Sequence, residues 1–170
     1  DEMLRKILQL CRGKRNMRIV YLTGPERLYD VPTGKTLLVS EMENLSREYA
    51  KLYKSTVKII RSPYLYSEQY EKDFLNTVFR ETSTEQKITF QEDESQRMFF
   101  LSMQDLAELM YKIFDNWDED EEILNIADGF DHCFKDLGDK LTELCPHLTF
   151  SYARYRIMEN MLKDAKIISY

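Results

Sequence analysis

The sequence predicts an α/β protein with a parallel β-sheet flanked by helices. Short, continuous apolar runs such as Ile19–Leu22 alternate along the chain with amphipathic stretches of about 10 to 18 residues, an order typical of parallel sheets. The 170 residues, 43% of them hydrophobic, are enough for one domain with its own core. We therefore expect residues 1–170 to form a single domain.

Apolar periodicity predicts the helices. Residues 3–11 place Leu4, Ile7, Leu8 and Cys11 on one face, and Gly13 can end that helix. A longer helix is predicted over residues 36–53, with Leu38, Met42, Leu45, Tyr49 and Leu52 on one face. The same reasoning predicts further helices at residues 68–80, 103–114, 134–144 and 151–165.

Apolar runs bounded by turn residues predict the strands. Residues 17–22 form the first, which is followed by a turn-rich stretch with Pro25 and Pro32. Residues 56–60 form the second and enter a turn at Arg61-Ser62-Pro63. Shorter strands are predicted at residues 87–90, 97–101 and 123–126, the last closed by Asp128-Gly129.

Composition and charge argue against several classes of function. The 24 basic and 30 acidic residues give a net charge of −6 without a basic stripe, so nucleic acid is not an expected partner. No apolar stretch approaches the roughly 20 residues that span a bilayer, and no signal peptide is visible. Three cysteines without a C-x-x-C pair, Cys11, Cys133 and Cys145, indicate reduced thiols. We expect a cytoplasmic protein without a membrane partner.

No metal site is predicted. His132 and Cys133 are adjacent, so they cannot share a helix face as ligands spaced at i, i+4 would. The acidic run between Asp115 and Glu122 lacks the alternating spacing and central glycine of a calcium loop. That run is interpreted as a solvated turn.

Four segments, in this order, resemble the extended short-chain dehydrogenase/reductase family, which contains the NAD-dependent nucleotide-sugar epimerases and dehydratases. Residues 18–23 are similar to the strand that carries the family's catalytic Ser or Thr at its carboxyl end. Residues 59–66 resemble its "LRpxxvYG" strand and turn, residues 98–107 its "RDfihVxDla" segment, and residues 124–129 its "yNigsG" segment. The resemblance extends from about residue 3 to residue 144.

The resemblance implies a partial Rossmann-like fold. Residues 1–66 would be the second half of a Rossmann-like unit, and residues 67–170 a small substrate-domain-like part. The family's first four strands, which bind adenosine and pyrophosphate, have no counterpart, and the five glycines do not spell G-x-G-x-x-G. We therefore expect no cofactor for this chain alone and NAD(P) in a longer form. The helical patterns at both ends also indicate part of a longer protein.

The family's proton transfer uses a Tyr and a Lys four residues later, assisted by a Ser or Thr. Aligning its "PYGxSKxxxE" stretch on Pro32 and Glu41 puts Thr33 at the Tyr position and Leu37 at the Lys position. Thr23 is the candidate for the Ser/Thr role. Tyr29 with Lys35 is the alternative acid/base pair, although the two are six residues apart with Pro32 between them.

The resemblance also implies binding residues. Arg61 and Tyr64 fall in the substrate-binding turn, where Tyr64 takes the place of the family's Asn, and Pro63 falls on the cofactor side of that turn. The Arg of "RDf" falls at Met98, so Arg97 can replace it only if a bulge restores its direction. Structural interpretations stand beside these: Arg61 ties down the turn, and Ser102-x-x-Asp105 is a helix-capping box.

Three functions remain open at this stage. The first is a catalytically degenerate binding or interaction module, a pseudoenzyme that has kept the core and lost proton transfer. The second is a fragment of an active NAD(P)-dependent nucleotide-sugar epimerase or dehydratase. The third is an oligomerisation scaffold without a ligand. Expected partners are a nucleotide sugar and a protein bound through an aromatic-basic end formed by Tyr152, Arg154, Tyr155, Arg156 and Tyr170. Self-association is also expected, through apolar surface of the sheet-covering elements that would otherwise be exposed.

Overall fold

The computed structural model describes residues 2–25, 34–118, 122–127, 132–153 and 166–167. Its helices are α1 (Glu2–Leu10), α2 (Gly34–Leu52), α3 (Phe74–Thr84), α4 (Met103–Asp115) and α5 (Phe134–Leu144). Its strands are β1 (Arg18–Thr23), β2 (Thr56–Arg61), β3 (Tyr64–Tyr66), β4 (Lys87–Asp93), β5 (Arg97–Met98), β6 (Phe100–Ser102), β7 (Ile123–Ala127), β8 (His132–Cys133), β9 (Thr149–Ala153) and β10 (Lys166–Ile167).

The main sheet has the strand order β1-β2-β7-β10, and all of its pairs are parallel. On one face, Ala50 of α2 packs with Val57 and Ile59 of β2. On the other face, Ile113 of α4 packs in a cluster with Ile60 of β2 and further residues of β7. Helices therefore cover both faces of a parallel sheet, and the predicted α/β class is confirmed.

The rest of the described chain builds a second core from paired short strands. Strands β3 and β6, and β4 and β9, pair in parallel, whereas β5 and β8 are antiparallel. Between them and helices α3 and α5 lies a buried cluster formed by Val78, Ile88, Phe90, Met98, Phe134, Leu141 and Leu148. The ring of Phe134 meets those of Phe90 and Phe74 edge to face, a favourable aromatic geometry.

Side-chain caps set where helices α3 and α4 begin. The Asp73 carboxylate accepts a hydrogen bond from the Asn76 amide at 2.7 Å, so α3 starts at Phe74 and not at residue 68 as predicted. The Asn76 side chain also donates to the carbonyls of Ser67 and Tyr70, which holds the preceding residues in a turn. At α4, Ser102 Oγ accepts from the Asp105 amide at 3.0 Å, so the predicted cap is confirmed, and its hydroxyl donates to the Asp105 carboxylate.

The helix predicted over residues 151–165 is wrong at its start. Residues 149–153 form β9, which pairs with β4, and residues 154–165 lie outside the described residues. Leu148, Phe150 and Tyr152 alternate along this segment and all pack into the second core. Burial of every second residue, in residues with high strand propensity, favours a strand over a helix here.

Candidate functional site

Three polar side chains end the neighbouring strands of the main sheet. The strand register pairs Thr23 of β1 with Arg61 of β2, and Arg61 with Asn125 of β7. All three residues are buried, and they share one row at the carboxyl edge of the sheet. Ligands of open α/β sheets bind in the crevice outside the carboxyl ends of the strands. We call Thr23, Arg61 and Asn125 the edge row and treat it as the candidate site.

A buried ion pair from helix α2 occupies the centre of the edge row. Arg61 Nε donates to Glu43 Oε1 at 2.9 Å, and Arg61 Nη2 donates to Glu43 Oε2 at 2.7 Å. The two side chains are only 5% and 2% exposed. A guanidinium and a carboxylate in this two-point geometry neutralise each other, because each charge is satisfied by its partner in a place that water does not reach.

Thr23 joins the end of β1 to the turn that follows β2. Its hydroxyl donates to the Ile60 carbonyl at 3.4 Å, a long hydrogen bond. Its own carbonyl accepts from the amide and the hydroxyl of Ser62, at 3.0 and 2.9 Å. The contacts of Thr23 within the described residues therefore secure the turn around Ser62.

The predicted acid/base residues can be placed only in part. Tyr29 and Thr33 lie outside the described residues, and Lys35 lies in the first turn of α2, where its side chain is not described. On β1, Tyr21 lies two residues before Thr23 and so on the same face of the sheet. Burial, and then the Glu43 carboxylate, raise the pKa of Tyr21 above the ordinary tyrosine value.

The turn after β2 holds Pro63 and Tyr64. Pro63 is fully buried, and the Tyr64 amide donates to the Phe99 carbonyl at 3.0 Å. The half-buried Tyr64 ring lies 4.6 Å from that of Phe74 and 5.9 Å from that of Phe100, measured between centroids. At the position where the resemblance places a substrate-contacting Asn, this chain therefore has an aromatic ring packed on the second core.

Arg97 and Met98 are consecutive residues of β5 and point to opposite faces. Arg97 pairs with Cys133 and Met98 with His132, in a register without a shift. Met98 is 1% exposed and belongs to the second core, whereas Arg97 is half-buried. The pairing therefore contains no bulge that would turn Arg97 to the side of Met98.

Two members of the site were missed from the sequence. Glu43 was passed over for Glu41, which the structure leaves exposed, because the sequence alignment was anchored on the earlier residue. Glu43, Ser46 and Ala50 are buried at helical spacing on the side of α2 that faces the sheet. Because these residues are small or polar, the apolar periodicity of the sequence does not mark this side of α2 as buried. The predicted apolar face of α2 is instead partly exposed, at Leu38 and Leu52.

Asn125 is the second residue that was missed as a site component. Its side-chain oxygen Oδ1 is buried, and no hydrogen-bond donor reaches it within the described ranges. A buried carbonyl without a donor is costly and uncommon, so it marks a place where a further donor fits.

The described residues do not by themselves fit the pyrophosphate of NAD(P). That group needs a glycine-rich turn from a strand into a helix, where backbone can approach the phosphates. The described glycine with a left-handed backbone is Gly13, at φ +86°, and it lies between α1 and β1, a connection from a helix into a strand. Any cofactor phosphates would have to be held elsewhere.

The described residues contain neither a metal centre nor a membrane-spanning helix. No group of three or more His, Cys, Asp or Glu side chains within them is arranged to hold a metal ion. None of their helices combines the length and apolar character that crossing a membrane requires.

More than half of the chain matches a known protein family. The family model described as the NAD dependent epimerase/dehydratase family matches residues 40–127, from α2 to the end of β7. The chain belongs to the NAD-dependent epimerase/dehydratase family. The edge residues Arg61 and Asn125 of this epimerase/dehydratase-family chain lie within the matched segment. A search of curated protein sequences gave no match.

Solved structures share the fold of this epimerase/dehydratase-family chain. A NAD-dependent NDP-hexosamine 5,6-dehydratase involved in tunicamycin biosynthesis is 14% identical with a TM-score of 0.70, over 91% of this chain and 55% of that one. UDP-glucuronic acid 4-epimerase from Bacillus cereus, in complex with UDP-glucuronic acid and NAD, is 12% identical with a TM-score of 0.66, over 93% and 55%. MoeE5 in complex with UDP-glucose and NAD is 19% identical with a TM-score of 0.65, over 91% and 57%.

Likeness at these identities establishes the fold and the Rossmann-like sheet. The epimerase/dehydratase-family chain spans little more than half the length of these three structures.

Proposed function

We propose that this chain is an epimerase/dehydratase-like domain of a longer protein that has lost proton transfer and serves as a binding or interaction module. The observation that carries the proposal is the Arg61–Glu43 ion pair, which fills the centre of the edge row with two mutually neutralised charges. The sequence adds that no Tyr is followed by a Lys four residues later.

The electrostatics of the edge row favour binding over acid/base chemistry. A general acid or base works best with a pKa near the working pH, and a phenol reaches that range only beside positive charge. Tyr21 has the opposite environment, because burial and the nearby Glu43 carboxylate both raise its pKa. Tyr21 therefore stays protonated and is a poor replacement for an activated tyrosine.

Asn125 supports a ligand with hydrogen-bond donors. Its buried Oδ1 accepts nothing from the described residues, and it lies at the edge where ligands of such sheets bind. Sugar hydroxyls and the N–H of a uracil or guanine base are suitable donors. Two of the solved relatives are complexes with UDP-glucose or UDP-glucuronic acid. We propose a nucleotide sugar as the ligand class.

The test is a thermal-shift titration of this chain, and of its full-length form, with NAD, NADP and a panel of UDP-, GDP- and dTDP-sugars. A ligand that binds only the folded state stabilises it by RT ln(1 + [L]/Kd), about 2.7 kcal/mol at 100 times Kd. We expect a saturable shift with a sugar nucleotide, and no conversion of that sugar nucleotide into an epimer or a dehydrated product when the cofactor is also present.

Matched variants assign the shift to the edge row. Asn125→Leu removes the buried acceptor and should abolish the shift, whereas Lys140→Met, in an exposed pair with Glu143 on α5, should retain it. A shift that survives Asn125→Leu would place the ligand elsewhere. No shift in either form at millimolar ligand would contradict the nucleotide-sugar proposal and leave a scaffold without this ligand.

The alternative is that this chain is part of an active NAD(P)-dependent enzyme. It is favoured by one observation: the solved relatives are nearly twice as long, so residues for proton transfer and cofactor binding can lie outside these 170 residues or among those not described. Conversion of a sugar nucleotide into an epimer or a dehydrated product by the full-length form, followed by NMR, would establish this alternative over the binding module.

Binding of a protein through the aromatic-basic end and association with a second copy both remain predictions. Tyr152 of the proposed aromatic-basic end is half-buried in the second core, where its ring stacks on that of Phe90 at a centroid distance of 5.6 Å. The other four residues of that end lie outside the described residues. Exposed apolar side chains on α1, those of Met3, Ile7 and Leu10, are a better-placed surface for a second copy. Analytical ultracentrifugation tests it.

A further inference from the structure

A cavity of about 390 Å³ lies between helix α1 and the second half of helix α2. Its volume falls in the range of roughly 300–1,000 Å³ that small-molecule sites have. The apolar part of its lining consists of Leu8, Leu45, Leu52 and two tyrosines, Tyr49 and Tyr53, whose ring centroids are 4.6 Å apart. None of the three edge-row residues, all of them described, belongs to this lining. The cavity is therefore separate from the candidate site.

Tyr49 has a buried hydroxyl group. The residue is 8% exposed, and no group of the described residues forms a hydrogen bond with its hydroxyl oxygen. Burial raises the pKa of Tyr49 above the ordinary tyrosine value, and the nearby Cys11 and Tyr53 raise it further. The hydroxyl therefore stays protonated and can donate. Because a buried polar group without a partner is costly, Tyr49 marks a place where an acceptor atom of a ligand fits.

Two arginines line the same cavity. Arg5 lies in α1, Arg12 lies in the turn that follows α1, and both side chains are exposed. Neither guanidinium forms an ion pair with a carboxylate in the part of the chain that the structure describes. A guanidinium without a carboxylate partner can offer two parallel N–H groups to one anion.

The surroundings of Arg12 add positive charge, although the whole chain has a net charge of −6. The Asn16 amide donates to the Lys54 carbonyl at 3.2 Å, so the connection after α1 lies against the end of α2. This contact brings the exposed Lys14 and Arg15 near Lys54, beside the end of the cavity that Arg12 lines. Such a cluster raises the local concentration of anions.

The charge of the lining favours an anion with a single charge. Glu48 lines the cavity from the α2 side, opposite the two arginines of the α1 side. Its carboxylate repels a dianion such as phosphate about twice as strongly as it repels a monoanion. The apolar lining adds a second requirement, since it is desolvated well only by an apolar body.

We infer that this cavity binds an amphipathic monoanion, a carboxylate attached to an apolar body. One carboxylate oxygen accepts hydrogen bonds from a guanidinium of Arg5 or Arg12, and the other accepts from the Tyr49 hydroxyl. The apolar body lies against Leu8 and Leu45 and excludes water from them. The inference does not depend on the proposed function.

A second copy of the chain is the competing occupant. The exposed apolar residues Met3, Ile7 and Leu10 lie on a different side of α1 from Arg5 and Gln9, which line the cavity. A second copy that covers those three apolar residues therefore does not have to fill the cavity. The two surfaces can be separated by mutation.

Isothermal titration calorimetry of the full-length protein with octanoate, 1-octanol and acetate tests the ligand class. We expect saturable binding of octanoate. Octanol lacks the charge and acetate lacks the apolar body, so each should bind at least about tenfold more weakly. Equal affinities for octanoate and octanol, or no octanoate binding at millimolar concentration, would overturn the inference.

Matched variants assign octanoate to the cavity. The double variant Arg5→Gln with Arg12→Gln should bind it about tenfold more weakly or worse, at an unchanged melting temperature, because both side chains are exposed. Lys6→Gln, in an exposed pair with Glu2 on α1, should bind like the wild type. Tyr49→Phe should weaken binding without lowering the melting temperature of the free protein, since it removes a hydroxyl without a partner among the described residues.

Two outcomes of the variant series contradict the inference. Octanoate binding that is unchanged in the double arginine variant would place the ligand elsewhere. Analytical ultracentrifugation supplies the other outcome. A full-length dimer that fails to bind octanoate, and that dissociates in the double arginine variant, would assign the cavity to a second copy.

Discussion

Glu43 and Arg61 are 18 residues apart, and their side chains form a buried two-point ion pair between helix α2 and strand β2. Strand β2 is the second strand of the main sheet and contacts β1 on one side and β7 on the other. The ion pair therefore fixes α2 against the strand that contributes the middle member of the edge row. The candidate site therefore contains residues on which the stability of the fold depends.

Replacement of Arg61 by Met should destabilise the protein strongly. It leaves the Glu43 carboxylate buried without its partner, and breaking such a pair costs about 3–5 kcal/mol. Urea unfolding measures the loss. The exposed pair Lys140–Glu143 is the control, since Lys140→Met should cost less than about 1 kcal/mol. The double variant Glu43→Leu with Arg61→Met should be more stable than Arg61→Met alone; equal effects of Arg61→Met and Lys140→Met would contradict the account.

Gly138→Ala should destabilise the second core. A methyl group at Gly138 would overlap the Tyr152 hydroxyl, while the ring carbon that bears the hydroxyl would lie at 3.3 Å. Overpacking of this kind costs about 1–3 kcal/mol, although Ala is otherwise the better helix residue. Tyr152→Phe removes the overlapping oxygen, so the double variant should recover most of the loss. A double-mutant cycle of unfolding free energies measures this coupling, and additive effects would show that the overlap is not the cause.

Asp136 should contribute a stability that depends on pH. Its carboxylate accepts from the Cys133 amide at 2.7 Å at the start of α5, and this hydrogen bond, followed by that of the Cys133 thiol, holds the pKa of Asp136 below its ordinary value. A lowered pKa in the folded state stabilises the protein above the unfolded pKa, and the contribution disappears as pH falls through the folded value. The stability difference between wild type and Asp136→Ala should therefore be present at pH 7 and shrink below about pH 4.

Urea unfolding at pH 7 and pH 3 checks the Asp136 prediction. Asp139→Ala on the same helix is the control, because the Asp139 carboxylate makes an exposed pair with Lys135. The Asp136→Ala loss at pH 7 should be smaller than that of Arg61→Met, since Asp136 is exposed. A loss that is the same at both pH values would be inconsistent with a charged cap.

Thr56→Val should change the fluorescence of Trp117, the single tryptophan of the chain. The Trp117 indole N–H donates to Thr56 Oγ1 at 2.8 Å, and Val has the same shape without the acceptor. We expect a loss of about 0.5–1.5 kcal/mol, because a half-buried hydrogen bond to the exposed Thr56 is lost, and a shift of the fluorescence emission. Thr142→Val on α5 removes a hydroxyl that donates to the Gly138 carbonyl and should leave the emission unchanged. An unshifted emission in Thr56→Val would contradict this hydrogen bond.

The sequence predicted the main sheet well for a physical reason. Strands β1, β2 and β7 are short, mostly apolar runs of the kind found in helix-flanked parallel sheets, and their predicted ends differ from the observed ends by one residue at most. Helix α3 was started too early, because the turn before it is held by Asn76 and Asp73 and has no apolar signal. Strand β9 was missed because its apolar residues were read at helical spacing.

Only those residues of the candidate site that lie at the ends of predicted strands could be predicted from the sequence. Thr23 and Arg61 end neighbouring parallel strands, so their placement in one row could be expected. The burial of Glu43 could not be predicted, since a buried charge on a helix interrupts the apolar pattern that marks a buried face. The open carbonyl of Asn125 depends on which donors surround it in three dimensions, and a single sequence carries no information on that.

The pairing of β4 with β9 has a consequence for synthesis of the chain on the ribosome. Thr89 and Ser151, which share a side-chain hydrogen bond across this pair, are 62 residues apart. The Phe90 ring stacks on the rings of Phe150 and Tyr152. It therefore stays partly exposed to solvent until those two residues have been synthesised. The β-α-β unit of β1, α2 and β2 in the main sheet closes over a shorter span and can form earlier. A nascent chain that stalls before residue 148 would thus expose aromatic surface, making it a candidate for chaperone capture.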